Sequence, residues 1–507
     1  MKYKFVPILF VFFSILFIGI DVFAGSSTYV SIDSCFQFSD ETDDSDDPFA
    51  DDDEDKPDET AENPFAEDNS DKNDPFGNQM TEDKTDKEEN TDQKPDNIND
   101  SDDSNAPNTD KITASDIKQM LGLDKFIWRG YFENQLSGNE MDNRFYLQNY
   151  NKLRLEIVTT TKESDTDDSF ADLNIAMIGQ TFHGLKSIQT LDYIPEKFSN
   201  LIVSSDRDSY IFSFADDFRL EVGEVIMNTG RLQLRFGKIM LKTGTGNFFN
   251  PTDVFMQKNP SDPSYETAGI PAISAEYFIE YDPPASVGTL IAFDETFRYS
   301  TKLAFLKYFF RFGNEITADT KLQFASRNEN FITDYQTFDE NLHTLDQIGF
   351  DVYFNLLGLG LGFEIAYNMS DVKEDWLAAL AQVDYTFKNG IFLLVEYYYT
   401  ESGKAKSDDY TFNDWLAYIF GAQLTMGQHY VTFSSQYQAS LRFAYSLSGY
   451  VNLSDNSAAL IPRVDWSIMD AVQLNFYALI PVGAIETEFG TLDYQLILRF
   501  RYSFTSN

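Results

Sequence analysis

FRLEVGEVIMNTGRLQLRFGKIMLKTGTGNFFNPTDVF, residues 218 to 255, holds two strands and the loop that follows them. Apolar and polar residues alternate on both sides of Asn228-Thr229-Gly230, the pattern of two half-buried strands joined by a tight hairpin. In the second arm Leu232, Leu234 and Phe236 share one face, and Arg231, Gln233, Arg235 and Gly237 the other. A soluble sandwich buries such an apolar face against a second sheet. A membrane barrel turns it to lipid and keeps the polar face on an aqueous lumen.

Working outward, the same period recurs to the last residue. Leu153, Leu155 and Ile157 alternate with Lys152, Arg154 and Glu156; Ile273, Ala275, Tyr277 and Ile279 alternate with Ser274, Glu276 and Glu280, with Phe278 breaking the polar side. Ile348 to Phe354, Leu359 to Tyr367 and Leu441 to Leu447 repeat it. Turn signals fall at Asn228-Thr229-Gly230, Asp282-Pro283-Pro284, Lys388-Asn389-Gly390 and Gly427-Gln428-His429. Aromatic residues crowd strand ends, as at Tyr397 to Tyr399 and Tyr308 to Phe310, where interfacial girdles lie. A uniform meander of this length is too large for one sandwich. The expected fold is all-β, a transmembrane antiparallel β-barrel over residues 125–507 with about 16–18 strands, preceded by a disordered acidic segment.

The chain opens on Lys2 and Lys4, an apolar run from Phe5 to Ile20, and Val22-Phe23-Ala24. A positive head, a short apolar stretch and a small residue at the cut make residues 1–24 a secretory signal, the run being short for a membrane helix. No other run of eighteen apolar residues occurs, so any insertion into a bilayer has to be by strands. Cys35 is the single cysteine and excludes an intramolecular disulfide.

Residues 40–115 hold 29 acidic residues against 6 lysines, about half of the net charge of −44. With almost nothing to form a core, residues 25–112 are expected to be a disordered acidic segment in the periplasm. Within it an Asx-Pro-Phe unit recurs, presenting Phe49, Phe65 and Phe76. Two readings stand: a repeated linear motif for a periplasmic protein partner, or a duplicated linker. Residues 113–124 are read as a short helix or linker. No nucleic-acid partner is expected of so acidic a chain.

At the other end Leu492, Tyr494, Leu496, Leu498, Phe500, Tyr502 and Phe504 form one apolar row against Asp493, Gln495, Arg499, Arg501 and Ser503. A closing strand that ends on an aromatic resembles the signal read by the barrel assembly machinery of the outer membrane, which makes that machinery an expected partner at Phe504. The opening stretch carries a second resemblance. Gly237-Lys238, then Gly244-Thr245-Gly246, then Phe249-Asn250-Pro251-Thr252-Asp253 resemble the G-x-G…F-N-P-T-D signature of porin-like outer-membrane barrels of the alginate-export and general porin type. Thr243 and Ile239 stand where that pattern has tryptophan and glutamine. The resemblance implies a loop of Gly244, Gly246, Phe248, Phe249, Asn250, Pro251 and Asp253 that folds inward as a constriction; the residues alone also fit an ordinary surface loop with an N-P-T-D turn.

Histidines 183, 343 and 429 lie far apart in sequence, in expected loops or turns, and no nucleophile–base or metal-ligand spacing accompanies them. No enzyme, cofactor or metal is expected. What remains is transport. The polar faces give a basic wall of Lys152, Arg154, Arg219, Arg231, Arg235, Arg499 and Arg501, and an acidic wall of Glu276, Glu280, Asp351, Glu364, Asp384 and Glu396. Either the two walls oppose each other and set a transverse field, or the charges pair along the wall and set none. The expected function is an outer-membrane channel, lipid-embedded in a diderm bacterium, for passive or selective passage of small hydrophilic solutes. The alternatives are a surface-exposed binding or adhesion barrel, or a structural tether whose acidic segment engages a periplasmic partner.

Overall fold

The computed structural model describes residues 126–506 except 142–143, 162–168, 203, 256–267, 282, 295, 313–315 and 335–338. The signal, the acidic segment with Phe49, Phe65 and Phe76, and the 113–124 helix or linker lie outside the described residues. In chain order the strands are β1 (Ile127–Met141), β2 (Arg144–Thr160), β3 (Ser169–Gly184), β4 (Ser187–Gln189), β5 (Ile211–Ser213), β6 (Asp217–Thr229) and β7 (Leu232–Ile239). Next come β8 (Ile270–Tyr281), β9 (Pro284–Phe293), β10 (Ser300–Phe312), β11 (Ile316–Asp334), β12 (Asp339–Leu356), β13 (Leu359–Ser370) and β14 (Trp376–Thr386). The last are β15 (Ile391–Thr400), β16 (His429–Gln438), β17 (Phe443–Asn452), β18 (Ser457–Met469), β19 (Val472–Val482) and β20 (Gln495–Thr505).

Apart from the β4–β5 ribbon, the strands form one 18-stranded sheet. Each pairs antiparallel with its neighbour, and β20 returns to β1 through Gly130↔Phe504 and Glu133↔Arg501. The sheet is therefore a closed barrel without an edge, the one way strands satisfy their backbone in lipid. The chain enters β1 and leaves β20 at the end that carries short turns such as 230–231, 357–358 and 470–471. Long loops 185–216, 240–269, 401–428 and 483–494 all lie at the opposite end.

The side chains are arranged inside out compared with a soluble protein. Along β13, Phe363, Ile365 and Tyr367 are exposed, whereas Glu364 and Asn368 are buried. Phe350, Ile273, Val287 and Leu322 are likewise exposed, and Glu133, Lys152, Gln347 and Glu396 buried. An apolar belt facing outward has a favourable place only in hydrocarbon. Exposed Trp128, Tyr281, Phe310, Tyr445, Trp466 and Tyr502 ring the short-turn end, with Phe443 stacked on Trp466 at 5.5 Å.

The opening hairpin holds: β6 and β7 meet at Gly230, which takes φ +55° in the turn, and Leu232 and Leu234 face outward. Phe278, which interrupts the alternation, marks a bulge between Phe278 and Glu280. Gly427-Gln428-His429 is not a hairpin turn but the return of loop 401–428 into β16. That loop contains the helix Phe412–Ile419, whose start is written in the sequence: Thr411 and Asp414 form a reciprocal capping box. Leu492 precedes β20 and packs on an inner cluster instead of joining the outer row.

Candidate functional site

The inner face is not uniformly polar. Ile239, Ala272, Leu290, Ala292, Leu303 and Ala325 form an apolar patch on β7 to β11, and Leu241 and Val254 of loop 240–269 pack on it. A second inner patch joins Leu380, Leu394, Tyr398, Tyr430, Tyr450 and Ile461 with Phe248 and Phe249 at the loop tip. The loop thus leaves and rejoins one patch and touches the other at its tip. Phe249 stacks on Tyr398 with ring centroids 4.5 Å apart, and Phe248 meets Tyr450 edge-on at 5.1 Å. The loop leaves β7, and β17, which carries Tyr450, lies halfway round the ring from β8. A side chain from one wall therefore reaches the opposite wall. Tyr398 faces inward for this reason, unlike Tyr397, which is exposed in the outer aromatic belt.

Two wall carboxylates hold the loop backbone. Glu364 on β13 accepts from the amides of Thr245 at 2.5 Å, Gly246 at 2.6 Å and Thr252 at 3.2 Å, and from the Thr252 hydroxyl at 2.9 Å. Glu396 on β15 accepts from the amides of Asn247 at 2.5 Å, Phe248 at 3.0 Å and Phe249 at 3.4 Å. Bonds from several amides to one ionised acceptor are stronger than neutral ones. Gln323 and Gln347 add amide donors to the carbonyls of Thr252, at 2.5 Å, and Pro251, at 3.1 Å.

The loop's own composition fits this seat. Gly244 takes φ +87°, and a Cβ there would lie 2.9 Å from both Glu364 oxygens; at Gly246 it would lie 1.8 Å from the Phe249 carbonyl. Asn250 to Asp253 close a turn through the Asp253 amide and the Asn250 carbonyl at 3.1 Å, with Pro251 at its second position. The Thr243 hydroxyl bonds the Thr252 carbonyl at 3.0 Å and Asp253 at 3.2 Å, closing the neck of the loop.

The strands of the expected basic and acidic walls do lie on different arcs, but neither wall carries one sign. Arg499 and Arg501 bracket Glu133 at 3.5 and 2.7 Å. Arg154 binds Glu221 at 2.5 Å and Glu156 at 2.7 Å, and Lys152 lies 4.0 Å from Glu221. Arg219 pairs with Asp217 and Arg235 with Glu224. On the other arc Glu276 pairs with Lys307, Asp351 with Lys321, and Asp384 accepts from Tyr353. Arg231 and Glu280 are corrections of place: Arg231 sits in the exposed β6–β7 turn, donating to the Ile279 carbonyl, and Glu280 is exposed past the β8 bulge. Charges pair along the wall.

Sequence reasoning overlooked Glu221. The bulge between Ala176↔Val222 and Met177↔Leu220 frees it from the ladder and delivers its carboxylate to Arg154. It also missed Glu133, buried against two arginines. Arginines stack on tyrosines beside them, Arg501 over Tyr131 at 4.3 Å and Arg499 over Tyr477 at 5.2 Å. The histidines are in strands, not loops: His183 in β3, His343 in β12 and His429 at the start of β16. His343 Nδ1 lies 2.7 Å from Asp371 Oδ1, tying β12 to the 371–375 turn; the Thr344 amide and this imidazole hold the Asp371 carboxyl below its ordinary value.

No family model matches the chain, and no curated protein matches it by sequence. Solved structures similar to it are outer-membrane porins. OccK11 (OpdR) of Pseudomonas aeruginosa is 10% identical, with 76% of this chain and 97% of that chain covered and a TM-score of 0.43. OccAB2 of Acinetobacter baumannii is 8% identical over 76% and 99%, TM-score 0.43. OmpF of Salmonella typhi is 9% identical over 75% and 97%, TM-score 0.38. The likeness is one of barrel architecture. The closed 18-stranded ring and its outward apolar belt define a transmembrane β-barrel.

Proposed function

We propose that this barrel is an outer-membrane channel for small hydrophilic solutes, narrowed by loop 240–269 acting as the constriction. The observation that carries the reading is the loop itself: Phe248 and Phe249 cross the lumen, and Glu364 and Glu396 fix the backbone between them. Solutes then pass between that loop and the charged wall of β20, β1, β2, β6 and β7, where arginine–carboxylate pairs and tyrosines line the surface. Selectivity among solutes falls to Arg154, Arg499 and Arg501 more than to Arg231, which sits at the turn end. The loop signature supports kinship with the alginate-export type of porin.

The same reading makes residues 1–24 a cleaved signal and residues 25–112 a periplasmic segment. The strand ending at Phe504 would engage the assembly machinery, and the acidic segment a periplasmic partner. Reconstitution of the full chain in planar bilayers tests the channel: discrete conductance steps are expected, and a barrel that never conducts would instead be a display or tether protein.

A further inference from the structure

Loops 185–216 and 401–428 leave the barrel on nearly opposite sides. Loop 185–216 joins β3 to β6 and loop 401–428 joins β15 to β16; eight strands separate these pairs one way round and six the other. Yet the two loops share one hydrophobic core. Leu191, Ile194 and Tyr210 of the first pack with Phe412, Trp415 and Leu416 of the second, and Phe198 stacks on Phe412 at 6.3 Å. Trp415 and Leu416 are among the most deeply buried side chains described. Chain segments from opposite walls meet only by spanning the mouth.

A polar cluster fastens this span to the wall. Glu488, in loop 483–494, is buried and accepts from Asn452 Nδ2 at 2.7 Å, from the Tyr430 hydroxyl and from Tyr418 of loop 401–428. Asp455, in the β17–β18 turn, accepts from the Tyr410 hydroxyl at 3.1 Å and from the Glu488 amide at 2.8 Å. Tyr410 in turn accepts from Asn452 at 3.1 Å. The groups facing Glu488 are therefore three tyrosines, one asparagine and the Asp455 carboxylate, with no cation among the described contacts of the cluster.

We propose that loops 185–216 and 401–428 form a lid across the loop-end mouth, closed when Glu488 is protonated and released when it is charged. A charge on Glu488 would stand buried beside Asp455, and water is its better solvent. Burial, and then the nearby Asp455, push the Glu488 carboxyl up from 4.5 to about 8. The same two effects raise Tyr410, while Tyr418 is raised by burial and then by Glu488, so the tyrosines stay neutral through this range. In an opened lid the solvated carboxyl returns to its ordinary value. Closing therefore takes up a proton, and the closed-to-open ratio falls about tenfold per pH unit from the open-state value up to the closed-state one, then levels off.

The proposal deepens the channel reading and depends on it only for a current. Hydrogen exchange of the full chain in phosphatidylcholine vesicles, corrected for the intrinsic rate, reads the lid directly at residues 405–421. Opening in the native chain is expected to rise about tenfold per pH unit from mildly acid to mildly alkaline conditions, and to be flat in Glu488→Gln. Leu191→Asp should leave those amides unprotected at every pH. A flat native profile, a Glu488→Gln profile parallel to the native one, or full protection in Leu191→Asp would each overturn the lid. Exchange that follows pH without any bilayer current keeps the lid and refutes the channel; current with flat exchange does the reverse.

Discussion

Loop 240–269 and the paired loops 185–216 and 401–428 both reach across the barrel, the first inside the wall and the second at its mouth. Inside, the backbone is seated by Glu364 and Glu396, and two phenylalanines rest on wall tyrosines. At the mouth the loops hold each other through an apolar core, and one buried carboxyl sets how firmly they attach. The difference follows from surroundings. A strand lining the lumen already presents polar side chains every second residue, so a loop laid on it meets carboxylates and amides. Loops beyond the wall lack that regular row of partners, so these two build a core of their own and are fastened to the wall through the Glu488 cluster.

The comparison is broken most severely by a charge in the mouth core. Leu416→Asp buries an unpaired carboxylate and should cost on the order of 5 kcal/mol, separating the loops while the barrel stays folded. Limited proteolysis should then cut between residues 401 and 428, and heat-modifiable migration should be unchanged. Next comes the inner seat. Glu396→Leu leaves the amides of residues 247 to 249 without their acceptor, at about 1–3 kcal/mol for each amide that stays buried. The expected outcome is a larger conductance step with more current noise.

Phe249→Ala removes the stack on Tyr398 and should weaken the loop by about 3 kcal/mol, giving a smaller rise in conductance than Glu396→Leu. Smallest is the wall. Arg501→Glu sets two carboxylates together at Glu133 and should shift the reversal potential in a salt gradient, whereas Arg231→Glu, exposed in its turn, should leave it nearly unchanged. Equal shifts for the two would show that the wall's arginines do not govern ion passage.

Much of the barrel was legible because period two is a local property. Leu232, Leu234, Phe363 and Ile365 declare their face by spacing alone, and Gly230 and Gly390 mark turns by their chemistry. The Gly244-x-Gly246 and Asn250-Pro251 steps also announced an unusual loop. What seats that loop was not legible. Strand face alone places Glu364 and Glu396 on an acidic wall, and nothing in the sequence says that a segment more than a hundred residues earlier will donate its amides to them. The charge pairs escaped for the same reason: Glu133 meets Arg499 and Arg501 only when β20 closes on β1. Pairing across a closed ring is a product of topology.

The mouth was the least legible part. The helix Phe412–Ile419 carries a capping box that local reasoning can find, but its partner core is supplied by Leu191, Ile194 and Tyr210 from the opposite side of the ring. Nothing in the sequence around Glu488 sets it apart from other loop acids. Its burial depends on Tyr430, Asn452 and Asp455 arriving together from two strands and a turn.

The central claim is that Glu364 and Glu396 hold the loop across the lumen and so set the width of the pore. It is tested most directly by the single-channel conductance of the full chain beside Glu364→Gln/Glu396→Gln, both in planar bilayers at one salt concentration. With both carboxylates neutral, the loop should leave its seat and the conductance step should rise clearly above that of the native chain. Steps of identical size and noise in the two proteins would contradict it.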